Sequence, residues 1–236
     1  MLKLHVYGPY FGLPDGSPFC IKALTLLKMS GLPHSVEKMS FKQAPKGKAP
    51  YLDDNGTIIA DSHFLQQHLE TKHGIDFSAG YSPAQLATGW ALSRMVEEHL
   101  YFLNIAFRWL DDENFNKGPR QFFAGLPGPI RPLISSMIRK KQRKTLFLQG
   151  LGRHSTEEQR SLAAGDIKAV EDTLGDKPFL FGDRPCGADA SVFAFLWAAS
   201  ATLFSSPIKD DLRARPNVMA YIGRLQKLYF PDFPLQ

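Results

Sequence analysis

Ser17-Pro18-Phe19-Cys20 is the stretch that decides the fold, because it marks the change from a first strand to a first helix. The residues before it, Leu2-Lys-Leu-His-Val-Tyr7, alternate between apolar and polar side chains, which predicts a half-buried strand. A Gly/Pro loop from Gly8 to Gly16 follows. Ser17 at the N-cap position and Pro18 at the first helical position are then typical of a helix start.

The first turn of this helix is suited to a sulfur anion. Its N–H groups lack intrahelical partners and carry a partial positive charge, and the thiolate is the reactive form of a thiol. The tetrapeptide resembles a Cys-x-x-Cys redox motif in which Ser17 replaces the first, exposed cysteine. Dithiol exchange needs two sulfur atoms, so we expect the site to activate the thiol of another molecule.

A second informative segment predicts a hairpin that leads into a second helix. Tyr51–Asp54 and Thr57–Ala60 are strand-like runs separated by Asn-Gly, the strongest short hairpin signal. Asp61 and Ser62 follow directly, and either residue is a suitable cap for the helix that begins there. The order is therefore strand, helix, hairpin, helix.

Pro50 stands where the first hairpin strand opens. A proline has no N–H to donate to a sheet, so this position requires an unusual backbone. We predict a cis peptide bond between Ala49 and Pro50. Such a bond turns the N–H and C=O groups of Ala49 outward, toward a peptide-like ligand.

Taken in order, these features are similar to the thioredoxin-like domain of the cytosolic glutathione S-transferases. The shared features are the Ser17-Pro18 helix start, Gly47-Lys-Ala-Pro-Tyr-Leu52, the hairpin and the Asp61-Ser62 pair. The segments Gly12–Cys20 and Leu27–Pro33 also resemble bacterial members of the failed-axon-connections and metaxin-like branch of that family. The resemblance spans nearly the whole chain.

The second half of the chain predicts helices only. Gly182-Asp-Arg-Pro-Cys186-Gly-Ala-Asp189 resembles the family's buried helix-start motif, but Cys186 replaces the capping threonine, which we expect to cost about 1 kcal/mol of capping. The nearly apolar run Ala190–Phe204 is too short to span a bilayer and predicts a buried core helix. The predicted helices cover residues 83–112, 133–148, 156–174, 188–204 and 216–228.

The resemblance implies an α/β plus all-α architecture, the glutathione transferase fold. It places a thioredoxin-like, glutathione-binding domain in residues 1–76 and a linker in residues 77–83, where Gly, Ser and Pro cluster. An all-helical domain in residues 84–236 would form the electrophile site. The family also implies a homodimer.

Composition points to an ordinary globular protein in a reducing compartment. The net charge of +5 arises partly from Arg139–Lys144, which we interpret as a solvated helix face because no aromatic residues are interleaved with the basic ones. We therefore expect no nucleic-acid partner. The two cysteines lie far apart in sequence, and no signal peptide precedes the first strand, so we predict a cytoplasmic protein without a structural disulfide or a membrane span.

Three hydroxyl groups are candidates for hydrogen-bonding the glutathione sulfur: Ser17, Tyr7 and Tyr10. Lowering a thiol pKa by ~2 units needs about 2.7 kcal/mol of selective thiolate stabilisation. A helix N-terminus supplies up to ~1 kcal/mol, and a hydroxyl bonded to a charged group ~1.5–3 kcal/mol. A site dominated by backbone N–H groups remains a further possibility, and the sequence leaves the choice open.

The resemblance assigns the other glutathione contacts by position. The main chain of Ala49, beside Pro50, is expected to pair with the cysteinyl unit as an added strand would. The Asp61 carboxylate suits the γ-glutamyl ammonium group, and the Ser62 hydroxyl and the helix-start N–H groups suit its carboxylate. Lysines available for the glycine carboxylate are Lys48, Lys38 and Lys42.

The implied function is that of a glutathione S-transferase, in which the thiolate of bound glutathione attacks a small hydrophobic electrophile. Two alternatives stay open: a non-catalytic, metaxin-like adaptor, and a glutathione-dependent thiol reductase that uses Cys20. Since the seven histidines show no ligand spacing with cysteine or carboxylate partners, no metal ion is expected. The electrophile is expected between the domains, against Phe11, Tyr101, Ile105, Arg108 and Trp109.

Overall fold

A four-stranded sheet in the order β2-β1-β3-β4 forms the centre of the N-terminal domain in the computed structural model, which describes residues 1–235. The strands are β1 Leu2–Val6, β2 His34–Lys38, β3 Tyr51–Asp54 and β4 Thr57–Ala60. Strands β1 and β2 are parallel, whereas β1–β3 and β3–β4 are antiparallel. The predicted first strand and hairpin are confirmed.

Two helices cover this sheet. Helix α1, Pro18–Ser30, is the crossover that a parallel β1–β2 pair requires. It ends at Gly31, whose positive φ of 67° lets its N–H bond the carbonyl of Lys28. Helix α2, Ser62–His73, follows the hairpin. The fold is the thioredoxin-like arrangement that the resemblance implied.

The C-terminal domain is helical throughout its described part. A single helical run begins with α3 Pro83–Met95, passes through a π-helical turn at Val96–Leu100 and continues as α4 Tyr101–Leu110. Short 3₁₀ helices occupy Pro119–Phe123 and Leu151–Arg153. The remaining helices are α5 Asp112–Lys117, α6 Arg131–Gln149, α7 Thr156–Leu174, α8 Gly187–Ala199, α9 Pro207–Arg213 and α10 Pro216–Tyr229.

The start of α8 shows how the chain manages without the family's threonine cap. The Asp189 carboxylate accepts hydrogen bonds from the main-chain N–H groups of Cys186 at 2.8 Å and Leu180 at 3.1 Å. The Tyr221 hydroxyl donates to the same carboxylate at 3.0 Å. Asp189 is fully buried. Capping thus depends on Asp189 more than on the side chain at position 186.

Helix α8 is buried along nearly its whole length and contacts α1, which brings the two domains together. Phe19 on α1 meets Phe195 on α8 edge to face, with 4.9 Å between ring centroids. The irregular segment between α2 and α3 coincides with the predicted linker, and the division into domains at residues 77–83 stays a prediction. Within residues 1–235, no helix combines the length and apolar character needed to cross a membrane.

Candidate functional site

The loop between β1 and α1 is held by the buried carboxyl group of Asp15. One oxygen accepts the N–H of Gly8 at 2.7 Å, and the other accepts the N–H of Ser17 at 2.7 Å. The side chain is fully buried. Burial raises the pKa of Asp15 to about 7, although the hydrogen bonds from Ser17 and Gly8 act in the opposite direction. Asp15 thereby fixes the end of β1 relative to the start of α1.

Ser17 occupies the N-cap position of α1, as predicted, but its hydroxyl makes no capping hydrogen bond. The main-chain carbonyl of Ser17 accepts the N–H groups of Cys20 and Ile21, both at 3.1 Å. The side chain is half-buried. The hydroxyl lies beside the thiol of Cys20 and interacts with it. A ligand sulfur placed at the helix N-terminus would compete for the same hydroxyl.

Cys20 is an inner cysteine without access to solvent. Its side chain is fully buried, and the thiol is free. Burial, and next the negative charge of Asp15, raise the pKa of Cys20 well above its usual range. A buried, protonated thiol is a poor nucleophile, so this geometry does not favour the reductase alternative.

The two candidate tyrosines have different surroundings. The Tyr7 hydroxyl oxygen accepts the N–H of Ala49 at 3.4 Å, and burial raises the pKa of Tyr7. Tyr10 packs its ring edge to face on Phe122, with a centroid distance of 4.8 Å, and lies 5.8 Å from the ring of Phe11. Tyr7 thus lies at the predicted cysteinyl subsite, whereas Tyr10 belongs to an aromatic cluster.

The two segments that flank the β3–β4 hairpin carry the other predicted glutathione contacts. The peptide bond between Ala49 and Pro50 is cis, which confirms the prediction. The carbonyl of Pro50 accepts the N–H of Asp61 at 3.2 Å and so joins the start of β3 to the start of α2. Asp61 itself has a φ of 87° and caps α2 by accepting the N–H of His63 at 2.9 Å.

Ser62 is the first residue of α2 and is almost completely buried. Its hydroxyl oxygen has no hydrogen-bond partner among the described residues. An unpaired buried hydroxyl costs free energy, so a ligand oxygen that reached it would supply a missing partner. Asp61 beside it is exposed.

The lysines predicted for the glycine carboxylate are all exposed. Lys48 and Lys42 lie in the loop between β2 and β3, and Lys38 ends β2. Lys38 borders a cleft of about 410 Å³ at the carboxyl ends of β1 and β2, lined by residues 6–10 and 36–38. This end of a sheet is where α/β folds bind ligands.

The predicted electrophile pocket is only partly assembled from the predicted residues. Phe11 packs on Phe122 and Phe204, with centroid distances of 5.4 and 5.1 Å, and Trp109 stacks on Phe122 at 6.4 Å. Phe122 and Phe204, which lie outside the long helices, were not among the predicted pocket residues. The remaining predicted residues are Tyr101, which packs on Phe19 and Phe195, and Ile105, which is half-buried.

Gly16 permits the close approach of Phe122 to the β1–α1 loop. A Cβ atom at position 16 would lie 3.2 Å from the Phe122 ring and 3.3 Å from Cβ of Tyr10. Phe122 is itself 39% exposed. This ring therefore covers the loop that carries Ser17 from the solvent side.

Arg108 is a buried cation in the same aromatic cluster, with 4% of its surface exposed. Its guanidinium group donates to the carbonyl of Ala198 and lies over the rings of Phe204 at 4.4 Å and Phe11 at 5.8 Å. Its Nε–H has no partner among the described residues. Burial lowers the pKa of Arg108 to about 10. The Nε–H can donate a hydrogen bond to a further oxygen atom.

Comparisons with known proteins agree with this fold. Family models described as the glutathione S-transferase N-terminal domain and the glutathione S-transferase C-terminal domain match residues 18–114 and 163–225. Isoprene-epoxide–glutathione S-transferase from Rhodococcus sp. (strain AD45) is 30% identical over 97% of this chain and 99% of its own length. The chain belongs to the glutathione S-transferase family. Its predicted fold, its transferase class and glutathione as the family's co-substrate are confirmed.

Other relatives of this transferase include longer proteins. Failed axon connections from Drosophila melanogaster is 30% identical over 94% of this chain, and human metaxin-1 is 28% identical over 98% of it. The chain spans only 56% and 51% of their respective lengths. Both belong to the branch that the sequence analysis named.

Solved structures show the same fold. A glutathione S-transferase from Methylobacterium radiotolerans, in complex with glutathione sulfonate, matches the whole chain with a TM-score of 0.64 at 18% identity and covers 95% of that chain. Glutathione S-transferase III in its apo form has a TM-score of 0.60 at 20% identity, with 100% and 98% of the two chains covered.

Proposed function

We propose that this transferase uses Ser17 to activate the thiol of glutathione for attack on a small hydrophobic electrophile. The observation that carries the choice is the position of the candidate hydroxyls. The Ser17 hydroxyl stands at the N-terminus of α1, beside the thiol of Cys20, and makes no capping bond, whereas the Tyr7 hydroxyl lies at the end of β1, where its oxygen accepts the N–H of Ala49. The Ser17 O–H therefore donates to the sulfur, and the helix start stabilises the same negative charge.

The γ-glutamyl end of glutathione is assigned to the start of α2. The exposed Asp61 carboxylate pairs with the ligand's ammonium group. The ligand's carboxylate meets the first-turn N–H groups of α2 and the unpartnered hydroxyl of Ser62, which is reached when the groups that cover it move aside. The ammonium group of this end thus has an anionic partner, and its carboxylate has hydrogen-bond donors.

The cysteinyl unit is assigned to the main chain of Ala49. Its N–H forms a long bond of 3.4 Å to Tyr7, which a peptide carbonyl can replace. The glycine carboxylate is assigned to Lys48, which is exposed in the adjoining loop. The thiol then lies near Ser17, since a peptide bound along the Ala49–Pro50 segment runs beside the start of α1.

For the second substrate we propose an epoxide. The aromatic rings of Phe11, Trp109 and Phe122 provide apolar contact area, and the buried guanidinium of Arg108 has a free Nε–H for an oxygen atom. The sulfur attacks a ring carbon, the C–O bond breaks, and the oxygen takes up the proton that the thiol has lost. Arg108 stabilises the charge that develops on that oxygen. The similarity to an enzyme named for isoprene epoxide supports this substrate class.

We also propose a cytoplasmic location, a homodimeric assembly and a role in detoxification. Both cysteines are free and buried, which agrees with a reducing cytoplasm. A homodimer and a role in detoxification follow from the family resemblance. Every step of the transfer reaction above is carried by protein groups and glutathione, so the reaction as proposed uses no metal ion.

The competing function is that of a non-catalytic adaptor, which has the glutathione transferase fold but uses it to bind a protein partner. The similarity to Failed axon connections and metaxin-1 favours it. The two functions differ in one requirement, because only the transferase needs the glutathione contacts at Asp61 and Ser62. Binding of glutathione therefore separates them.

The test is isothermal titration of reduced glutathione into the wild-type protein and the Asp61→Ala, Ser62→Ala double variant. The matched control is Asp76→Ala, Ser78→Ala, which removes the same residue types from a turn in which Asp76 accepts the N–H of Ser78. We expect binding to wild type and control, and loss of about 10–100-fold in affinity in the site variant. Absence of binding to the wild type contradicts the proposed function, and equal affinity in all three proteins contradicts the site.

Turnover is measured on the same samples with a small 1,2-epoxide as substrate. Consumption of the glutathione thiol that depends on both protein and epoxide supports the electrophile assignment. Binding of glutathione without turnover of epoxides would support the glutathione site but contradict the assignment of epoxides as the substrate class.

A further inference from the structure

Three side chains outside the glutathione site converge on one point. The carboxylate oxygen Oδ2 of Asp54 lies 2.9 Å from Nε2 of His68 and 2.8 Å from Nε2 of His73. The imidazole rings meet edge to face, with 5.6 Å between their centroids. Two ring nitrogens from neighbouring turns of one helix thus point at the same carboxylate oxygen.

The spacing of these atoms is near that of a metal-ligand set. One ligand atom from each residue can be chosen so that all three lie within 4.8 Å of one another. Ligands about 2.0–2.1 Å from a tetrahedral zinc ion are roughly 3.3 Å apart, so the separations between the three atoms need to change by about 1.5 Å at most. Two imidazoles and one carboxylate are a donor set that Zn²⁺ and related divalent ions take.

The scaffold holds the ligands from both sides. Asp54 ends β3, where it is paired with Leu2 of β1 and Thr57 of β4. Its second oxygen, Oδ1, accepts the side-chain N–H of Asn55 at 2.8 Å, which orients the carboxylate. The sheet therefore fixes one ligand before any ion arrives.

The two histidines are fixed by the packing of α2. Leu65 and Leu69 of this helix are fully buried, and Gly74 closes the helix directly after His73. His68 and His73 keep 17% and 24% of their side-chain surface exposed, whereas Asp54 keeps 5%. An ion bound here would have protein ligands on one side and access to water on the other.

We propose that Asp54, His68 and His73 form a binding site for a divalent transition-metal ion of the Zn²⁺ class, with water completing the coordination. The bound ion would join the end of β3 to the C-terminal end of α2. Since α2 rises about 1.5 Å per residue, His68 and His73 lie roughly 9 Å and 16 Å along the helix from Ser62. Metal binding and glutathione binding therefore occur at separate places.

The sequence predicts no metal ion, because its histidines have no cysteine or carboxylate partner at ligand spacing in the chain. Asp54 lies 14 residues before His68 and 19 before His73, and the fold alone brings it to them. His68 and His73 are five residues apart, and His73 is the last residue of α2. The two side chains lie on adjoining turns only because the helix extends as far as His73.

The experiment is titration of Zn²⁺ into protein dialysed against a chelator and then freed of it. Wild type is compared with His68→Gln, with His73→Gln and with the double variant, because glutamine retains an N–H for Asp54. The matched control, His99→Gln with His154→Gln, also removes two histidines from histidine–carboxylate pairs. Co²⁺ is titrated in parallel, since its visible absorption reports the ligands.

We expect one Zn²⁺ per chain in the wild type and in the control. Loss of an orienting partner alone weakens metal sites about 10–100-fold, so loss of a ligand is expected to weaken binding by at least about 100-fold. The Co²⁺ absorption is expected to disappear in the His68 and His73 variants. The far-UV circular dichroism spectrum is expected to be equal in all proteins, which shows that the variants are folded.

Two results would overturn the proposal. One is a wild-type protein that binds no Zn²⁺ in a saturable manner. The other is undiminished Zn²⁺ affinity in both His68→Gln and His73→Gln. Neither result depends on whether the chain binds or transfers glutathione, so the metal site stands or falls independently of the proposed function.

Discussion

The ammonium nitrogen of Lys22 lies 2.8 Å from Oε1 of Glu97, and 1% and 3% of the two side chains are exposed. Lys22 belongs to α1, and Glu97 lies in the π-helical turn between α3 and α4. The same glutamate oxygen accepts the Ser191 hydroxyl of α8 at 2.8 Å, and the other oxygen accepts the guanidinium of Arg94. A buried ion pair thus joins the thioredoxin-like domain to two helices of the helical domain.

Replacement of Glu97 by alanine is expected to lower the free energy of unfolding by about 3–5 kcal/mol, because it leaves the Lys22 ammonium buried without its partner. Denaturant unfolding measures the change. The control is Glu98→Ala, whose side chain is 64% exposed and which we expect to change stability by less than about 1 kcal/mol. Equal effects of the two variants would show that the buried pair does not hold the domains together.

Replacement of Ser17 by alanine is expected to reduce activity without reducing stability. The hydroxyl makes no capping bond, so the free energy of unfolding should change by less than about 0.5 kcal/mol. Loss of a hydrogen bond to the thiolate should raise the pKa of bound glutathione by about 1–2 units and lower kcat/KM by roughly 10–100-fold. Thiolate absorbance against pH measures the first effect, and Ser17→Thr, which keeps a hydroxyl, should restore part of the activity.

Replacement of Tyr7 by phenylalanine is expected to have a smaller effect on activity. Its oxygen accepts the N–H of Ala49, a bond that the ligand replaces in the proposed complex, so its removal should change glutathione affinity by less than about tenfold and leave the pKa of the bound thiol unchanged. The same titrations as for Ser17→Ala give both values. A rise in the thiol pKa in Tyr7→Phe that exceeds the rise in Ser17→Ala would assign the activating hydroxyl to Tyr7.

Asp15 should give the stability of the protein a distinct pH dependence. Its pKa is raised from about 3.8 to about 7 by burial, so between these values the folded chain binds a proton that the unfolded chain has lost. The contribution of Asp15 to the free energy of unfolding is therefore greatest below about pH 4. It falls by about 4 kcal/mol as the pH rises toward 7 and is constant at higher pH.

Asp15→Asn should lack this dependence. Unfolding of wild type and variant between about pH 4 and 8 gives the two curves, and the difference between them should change over the window from about 4 to 7 and level off beyond it. Parallel curves over the whole range would show that Asp15 ionises in the folded protein as it does in the unfolded chain.

The sequence predicted mainly the elements that are determined by residues close together in the chain. The first strand, the helix that begins at Pro18, the Asn-Gly hairpin and the cis peptide before Pro50 follow from local patterns and are all present. Strand β2 was missed because Val36 and the charged residues beside it lie exposed at the sheet edge, so the segment shows no apolar alternation.

Features that depend on distant contacts were not predictable in this way. The predicted helix over residues 188–204 ends at Ala199, after which Phe204 turns into the aromatic cluster with Phe11. Helix α9 was not predicted. The loop-closing role of Asp15 was also missed, because the sequence offers no sign that its carboxyl group reaches back to Gly8.

The π-helical turn at Val96–Leu100 has a consequence for how substrates enter. It carries Glu97, whose contact with Lys22 ties the domains together from within, so the cleft cannot widen by a hinge between them without exposing an unpaired charge. Access must then come from smaller movements near the surface, and Phe122 over Gly16 is placed to make them. Substitutions at Phe122 or elsewhere in the Pro119–Phe123 segment would therefore be the route to larger electrophiles. The Lys22–Glu97 ion pair between the domains would stay unchanged.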